Sequence, residues 1–442
     1  MSDLFRLKAA LQLYDWGKRG HHSLVAQLAQ NAIGHPFSVD DKSSYAEVWM
    51  GTHANGAAHT FHFPYQPLLK TISSDPTYYL GSSILKKWPS TTHLPYLFKV
   101  LSVAKALPLQ AHPDKALAKS LNAEDSSEFV DANHKPEIAI AIGEPLTSDG
   151  GWGDEVAFTG FAGFRPLEEI QQFIQNIPEL ARAIGDKQAT TQFLEKPSKD
   201  TLKAVFGALL SRGVADQAAV SEQIRALVDG IQSGGTTSRK YLDEEMVKVL
   251  IKLDGQYPGN VGVLVASFFM NFVKLMRGEA VYIGADEIHA YLEGDIIECM
   301  AVSDNVLNAA FTAAAQARDQ VPTFLSMLTY TSRPTANWSL PHTPYKYSQN
   351  KLTRVYAPPL EEFVVLGTYL SEEQGVEVLG AIGGPTVGII LKGRVKVALD
   401  VAGSEPLELE RGGVFYAVPH RQVTLQLLDG KGGEVWCAAS MV

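Results

Sequence analysis

The sequence predicts a mainly β protein interrupted by a helical insertion, with jelly-roll-like β domains around it. Three observations carry this. Short apolar runs rich in β-branched residues mark residues 1–165. Apolar residues then recur every three or four positions from Arg165 to about Arg277. Beyond about residue 336 only short strand candidates remain, with turn residues between them every 8–12 positions. The expected division is residues 1–165 with 278–335 as one β domain, 166–277 as an inserted helical domain, and 336–442 as a C-terminal jelly-roll-like β domain. A length of 442 residues accommodates about three domains.

Along the chain, Leu94 to Val103 and Ile138 to Ile142 have the length and branching of strands, with helical pieces near Leu24–Gln30 and Lys115–Leu121. Pro166 opens a helical segment whose stripe is Leu167, Ile170, Phe173, Ile174 and Ile177, and Gly185 closes it. Ser198 is placed to cap a second helix, with Leu202, Val205, Phe206, Leu209 and Leu210 on one face. Val220, Ile224, Leu227, Val228 and Ile231 form a third stripe, and Met246–Leu253 and Val261–Met276 continue the pattern. After Gly278 the strands return as AVYI, IHAYL and IIECMAV, punctuated by Gly284-Ala285-Asp286 and Gly294-Asp295. The C-terminal strands are EEFVVLG, TVGIILKG, RVKVALD, GVFYAV, QVTLQLL and EVWCAA.

Composition narrows the function classes. The chain is 45% hydrophobic and 19% charged, which suits a globular protein and excludes a disordered one. No apolar run reaches the ~18–20 residues of a membrane helix; the densest, Val261 to Val273, contains Ser267 and Asn271. Charges within the first turns argue against a secretory signal, so a cytoplasmic protein is expected. Cys299 and Cys437 cannot make a disulfide framework or a Cys-rich zinc site, so any metal is held by His, carboxylate or amide. A net charge of −10 weighs against nucleic acid.

Three stretches carry chemistry. In an extended strand residues two apart share a face, so Gln110 and His112 point together in PLQAHP, as do Lys135 and Glu137 in HKPEI. In DEIHAY, His289 stands near a strand start after a tight turn. Two imidazoles, a carboxylate and an amide oxygen can complete a site suited to Zn²⁺ with an open position. With twelve histidines in the chain, spacing alone leaves the surface or structural alternative open for each.

Read together, these stretches resemble the type I phosphomannose isomerases (mannose-6-phosphate isomerases), zinc-dependent cupin-type enzymes. The matching segments are YDWGKRG (14–20), YAEVWMGTHANG (45–56), LPYLFKVLSVAKALPLQAHPDKALA (94–118), DANHKPEIAIAI (131–142), VYIGADEIHAYLEGDIIECMAVSDNV (281–306) and VYAPPLEEFVVL (355–366). They follow family order, with the helical block between the fourth and fifth. The resemblance implies one zinc per chain on Gln110, His112, Glu137 and His289. It lines the pocket with Asp15, Trp16, Glu47, Lys99, Lys135, Glu298 and Asp304. It further implies interconversion of mannose 6-phosphate and fructose 6-phosphate, towards GDP-mannose. Lys135, Glu298 and Asp304 then compete for the proton-transfer role. A monomer whose partner is a small-molecule sugar phosphate is expected, with no ligand to the metal from residues ~166–262.

The chain departs from the family pattern in two places. Pro108 stands where many members have Ser. More consequential, Asn308 occupies the position of an Arg and Ala314 that of a Lys, both expected to face the phosphate or developing negative charge. A substitute cation is then required. Lys99 and Lys135 are aligned for it, and Lys18, Arg19, Arg318 and Arg354 lie nearby in sequence; Arg19 is the first choice as a substrate-binding residue. Two other classes remain: a catalytically weakened metal-binding cupin that senses sugar phosphates, and a cupin oxidase or dioxygenase with iron.

Overall fold

The computed structural model describes residues 2–34, 36–61, 64–146, 155–235 and 237–441. Among the described residues, two large antiparallel sheets pack face to face, a smaller sheet closes the C-terminal half, and a helical block covers one flank. The first large sheet has ten strands. Its centre is the long strand His289–Ala301, paired with Tyr96–Val103, Glu137–Ala141 and Val156–Phe164. The second has eight strands, and a four-stranded sheet lies against its far side around Leu366, Ile390, Val397 and Leu425. Between the large sheets, Phe98, Val100, Ile138, Ile140, Ile297 and Cys299 meet Tyr356, Val387, Ile389, Tyr416 and Trp436 in one buried cluster. Alternation explains the arrangement: every second residue of the first sheet goes into this core, and the intervening ones face a cleft.

The helical block contains Leu167–Asn176, Pro178–Ile184, Lys187–Glu195, Lys199–Ala215, Gln217–Ser233 and Glu244–Gln256. Gly185 ends the second of these in the left-handed conformation (φ +73°) that a side chain resists. Ser198 caps Lys199–Ala215 in a reciprocal pair of bonds with Thr201. The apolar stripes read from spacing are buried against one another.

The segment read as one helix from Pro166 to Gly185 is two, Leu167–Asn176 and Pro178–Ile184, and three other elements also differ from the sequence expectation. Val261–Met276 is not helical throughout: after a short turn of helix at Gly262–Leu264 and a wider turn at Val265–Phe269, Met270–Met276 is a strand paired with Val156–Phe164. Val273 and Leu275 are buried while Lys274 and Met276 are exposed, a period of two inside an apolar run that also fits a helix. IHAYL and IIECMAV are one strand, His289–Ala301, rather than two. Finally, the N-terminal strand Leu4–Lys8 pairs with Val414–Ala417, so the first residues complete the C-terminal sheet rather than the one they lead towards.

Candidate metal centre

Three neighbouring segments deliver the candidate ligands. Gln110 lies in the short strand Leu109–Ala111 and His112 follows it; Glu137 opens Glu137–Ala141; His289 opens His289–Ala301. In the antiparallel register His289 is opposite Gln110, and Gln110 is opposite Asn308 on the strand Leu307–Ala310. Directly opposed residues share a face, so His289, Gln110 and Asn308 form a row across three strands. His112, Glu137 and His289 are buried, and their ligand atoms lie within 4.8 Å of one another.

Simple alternation would separate His289 from Glu298, because they are an odd number of residues apart in one strand. A bulge prevents this. Thr159 opposes Glu293 but Gly160 opposes Tyr291, which leaves Leu292 unmatched, and Gly294 follows at φ +119°. Residues on either side of the bulge therefore share a face: Tyr291 and Ile296 are in the same buried cluster with Trp16 and Leu101. His289 and Glu298 both reach the cleft.

The ring nitrogens are assigned by their partners. His112 Nδ1 is 2.8 Å from the Asn305 carbonyl and His289 Nδ1 is 3.1 Å from the Glu287 carbonyl. A carbonyl only accepts, so each Nδ1 carries a proton and each Nε2 is the nitrogen left to face the other candidate ligands. Both Nε2 atoms are buried and have no hydrogen-bond partner of good geometry among the described residues. They face Glu137, His112 at 3.5 Å and His289 at 3.3 Å. Burial, joined by Lys135, lowers His112 to about 4, so its imidazole is neutral at pH 7. Nitrogens and carboxylate oxygens converging in a buried pocket need a proton or a cation between them. A tetrahedral ion with bonds of about 2.1 Å spaces its ligand atoms about 3.4 Å apart, the spacing found here. The donor set therefore fits a divalent metal. Tyr291 Oη donates to Glu137 at 2.6 Å and fixes the carboxylate.

Beside this trio lies a charged cluster. Lys99 Nζ is 2.7 Å from Glu298 and 3.4 Å from Glu47, and 4.9 Å from the Trp49 ring centroid. All three charged side chains are nearly inaccessible. Burial works against the Lys99 ammonium, yet Glu298 and Glu47 outweigh it and hold the lysine above its ordinary value. Burial pushes the Glu298 carboxyl up to about 7, with Lys99 opposing and Glu137 and Glu47 adding to it. Asp304 behaves oppositely. His53 Nε2 donates to its Oδ1 at 3.0 Å and Asn55 Nδ2 to its Oδ2 at 3.1 Å, which holds it ionised below the usual carboxylate range. His53 and Asp304 also line a cleft of about 700 Å³ with Asp131, Asn133 and Val302.

The structure thus brings Gln110, His112, Glu137 and His289 together, with Glu47, Lys99 and Glu298 on the same face. Lys135 is half-buried, within electrostatic reach of His112, Glu298 and Asp304. Trp16 is buried beneath the cleft face. Asn308 is also buried; its backbone N–H donates to Gln320, and Ala314 is exposed at the start of the helix Ala314–Met327. Among the proposed substitutes, Lys18 is committed to Asp295 at 2.6 Å, and Arg354 lies on the C-terminal sheet over the Tyr369 ring. Asp15 is exposed, 3.8 Å from Lys105. Arg19 is exposed on a two-residue strand, and no hydrogen bond or ion pair among the described residues joins it to the cluster. Among the described residues, none of the three clustered ligands comes from the helical block. Sequence reasoning missed His53, Tyr291 and the Asn305 carbonyl. Tyr291 is two positions from His289, so the alternation rule that paired Gln110 with His112 could have found it.

Comparison with known proteins bears on the family and the fold. The sequence matches the family model "Phosphomannose isomerase type I, catalytic domain" over residues 4–151 and "Phosphomannose isomerase type I, helical insertion domain" over residues 177–270. It is similar to mannose-6-phosphate isomerase of Saccharomyces cerevisiae, with 37% identity covering 96% of both chains. It is also similar to that of Cryptococcus neoformans, with 38% identity covering 97% of both. A solved structure described as mannose 6-phosphate isomerase (holo; zinc bound) superposes with a TM-score of 0.78 at 21% identity over the whole of both chains.

Proposed function

Because this chain belongs to the type I phosphomannose isomerase family, we propose that it is a zinc-dependent isomerase that interconverts mannose 6-phosphate and fructose 6-phosphate. The supporting observation is the buried trio of His112, Glu137 and His289 beside Gln110, two imidazole nitrogens turned towards one carboxylate. These four residues would hold the ion, one per chain. When bound, zinc supplies Lewis-acid polarisation of the substrate oxygens at C1 and C2.

The chain's own residues divide the remaining work. Lys99 is held charged and offers a fixed ammonium to a substrate oxygen, with Glu47 and Trp49 at its side. Asp304, locked ionised by His53 and Asn55, accepts from a hydroxyl rather than carrying a proton. Proton transfer beside the carbonyl falls to Lys135 and Glu298, the first half-buried and without a hydrogen bond or ion pair among the described residues, the second buried and held near neutrality. Asp15 and Arg19 are assigned to substrate binding, Arg19 as the substitute cation for the phosphate. The product then feeds GDP-mannose synthesis, in the cytoplasm and from a monomer.

A coupled assay for fructose 6-phosphate formed from mannose 6-phosphate by the zinc-loaded chain tests this. Turnover that a chelator abolishes is the expected result. One observation favours a second reading, a sugar-phosphate sensor: Asn308 and Ala314 leave two expected cation positions uncharged. A zinc-replete chain with no turnover, rescued by Asn308→Arg, would decide for the sensor.

A further inference from the structure

We propose that Tyr14 is a specificity-determining residue of this cleft, a stacking platform that holds the apolar C–H face of a closed pyranose ring before the sugar opens. The inference rests on the isomerase reading and extends it to the form of substrate first bound. Tyr14 is 41% exposed, an unusual state for a tyrosine whose ring is already stacked: its centroid is 5.6 Å from that of Trp16, with 27° between the planes. Trp16 backs it from within the buried cluster of Leu101, Ala139, Tyr291 and Ile296, directly beneath the cleft face. One side of the phenol is therefore supported, and its exposed surface is open.

The backbone holds this arrangement. The Tyr14 carbonyl accepts from Gly17 N–H at 3.1 Å, closing a tight turn, and the Trp16 carbonyl accepts from Ala104 N–H at 2.9 Å. A Cβ on Gly17 would come within 2.7 Å of the Ala46 backbone, so the turn is pressed against the residue before Glu47. Gln12, two residues before Tyr14, is opposite Glu47 in the sheet register. The platform thus overhangs the end of the sheet that bears Glu47 and Lys99. Burial first, then Glu47 and Asp304, raise the phenol above its ordinary value while Lys99 opposes them. The hydroxyl consequently lies within electrostatic reach of these groups and keeps its proton. An aromatic face above clustered charges suits a sugar ring: C–H groups meet the ring while hydroxyls meet the ions.

Two inert ligands separate the platform from general binding: a ring-locked 1,5-anhydrohexitol 6-phosphate and an open-chain hexitol 6-phosphate. With the zinc-loaded protein, Tyr14→Ala should weaken the ring-locked ligand roughly fivefold to tenfold and the open-chain ligand by less than about twofold. Tyr14→Phe should retain the ring-locked affinity, and unchanged zinc content will show the fold intact. Equal loss for both ligands, or none for either, overturns the proposal. Because both ligands are unreactive, a native chain without turnover would count against the isomerase reading and leave this binding comparison decisive.

Discussion

A backbone carbonyl decides which nitrogen of a histidine is left bare, and at this site two carbonyls do so, those of Asn305 and Glu287. Alternation places Gln110 with His112 and Lys135 with Glu137, and the family resemblance completes the candidate quartet with His289. The partners that orient them were not legible, since a carbonyl has no residue type to read. Asn305 shows the difficulty: its side chain donates to Asp131 and to the Asn133 carbonyl, stitching two loops together so that its own carbonyl meets His112. Two substitutions test the ligand assignment. His289→Ala should lose zinc and activity together, and full zinc retention would show that His289 is not a ligand. Tyr291→Phe removes the donor to Glu137 without opening space, and zinc affinity should fall about 10–100-fold when titrated against a chelator. An unchanged affinity would mean that the phenol does not hold the carboxylate.

At the scale of elements, the strand His289–Ala301 determines whether the ligands and the charged cluster share a face. Gly294 sits at φ +119°, where other residues are strained, and a Cβ there would come within 2.4 Å of the Ala157 carbonyl. Gly294→Ala should therefore cost about 2–4 kcal/mol of stability by denaturant unfolding. It should also weaken zinc binding, because relaxation of the bulge turns His289 away from Glu298. Undiminished stability and zinc affinity would show that the strand tolerates another route. The sequence signals Gly294 as punctuation, and the natural inference is a break between two strands. Distinguishing a break from a bulge depends on the facing strand, where Gly160 accepts the close approach of the Ala290 carbonyl. Met270–Met276 fails for a related reason: FFMNFVKLM is apolar enough for either period, and its pairing with Val156–Phe164 decides.

Over the whole molecule, the cleft segments are tied to the C-terminal half through one carboxylate. Glu362, next to the strand Val364–Leu370, accepts from His134 at 2.8 Å and from Lys115 at 3.2 Å. Lys115 follows the ligand segment QAHPD, and His134 precedes Lys135, so this contact couples both flanks of the site to the second sheet. The N-terminal strand, which completes that same sheet, makes the halves one structure rather than two in sequence. Burial favours the neutral acid at Glu362, but His134 and Lys115 outweigh it and bring the carboxyl down to about 2. A carboxyl lowered on folding stabilises the protein above its unfolded value of about 4.3, and that contribution is lost as pH falls from there towards 2. Because Lys115 is half-exposed, solvent screening reduces the effect to on the order of 1–2 kcal/mol. Denaturant unfolding of the native chain and Glu362→Gln should therefore differ by this amount at pH 5–7, and the gap should close as pH approaches 2. A gap that is independent of pH would assign the contact to packing rather than charge.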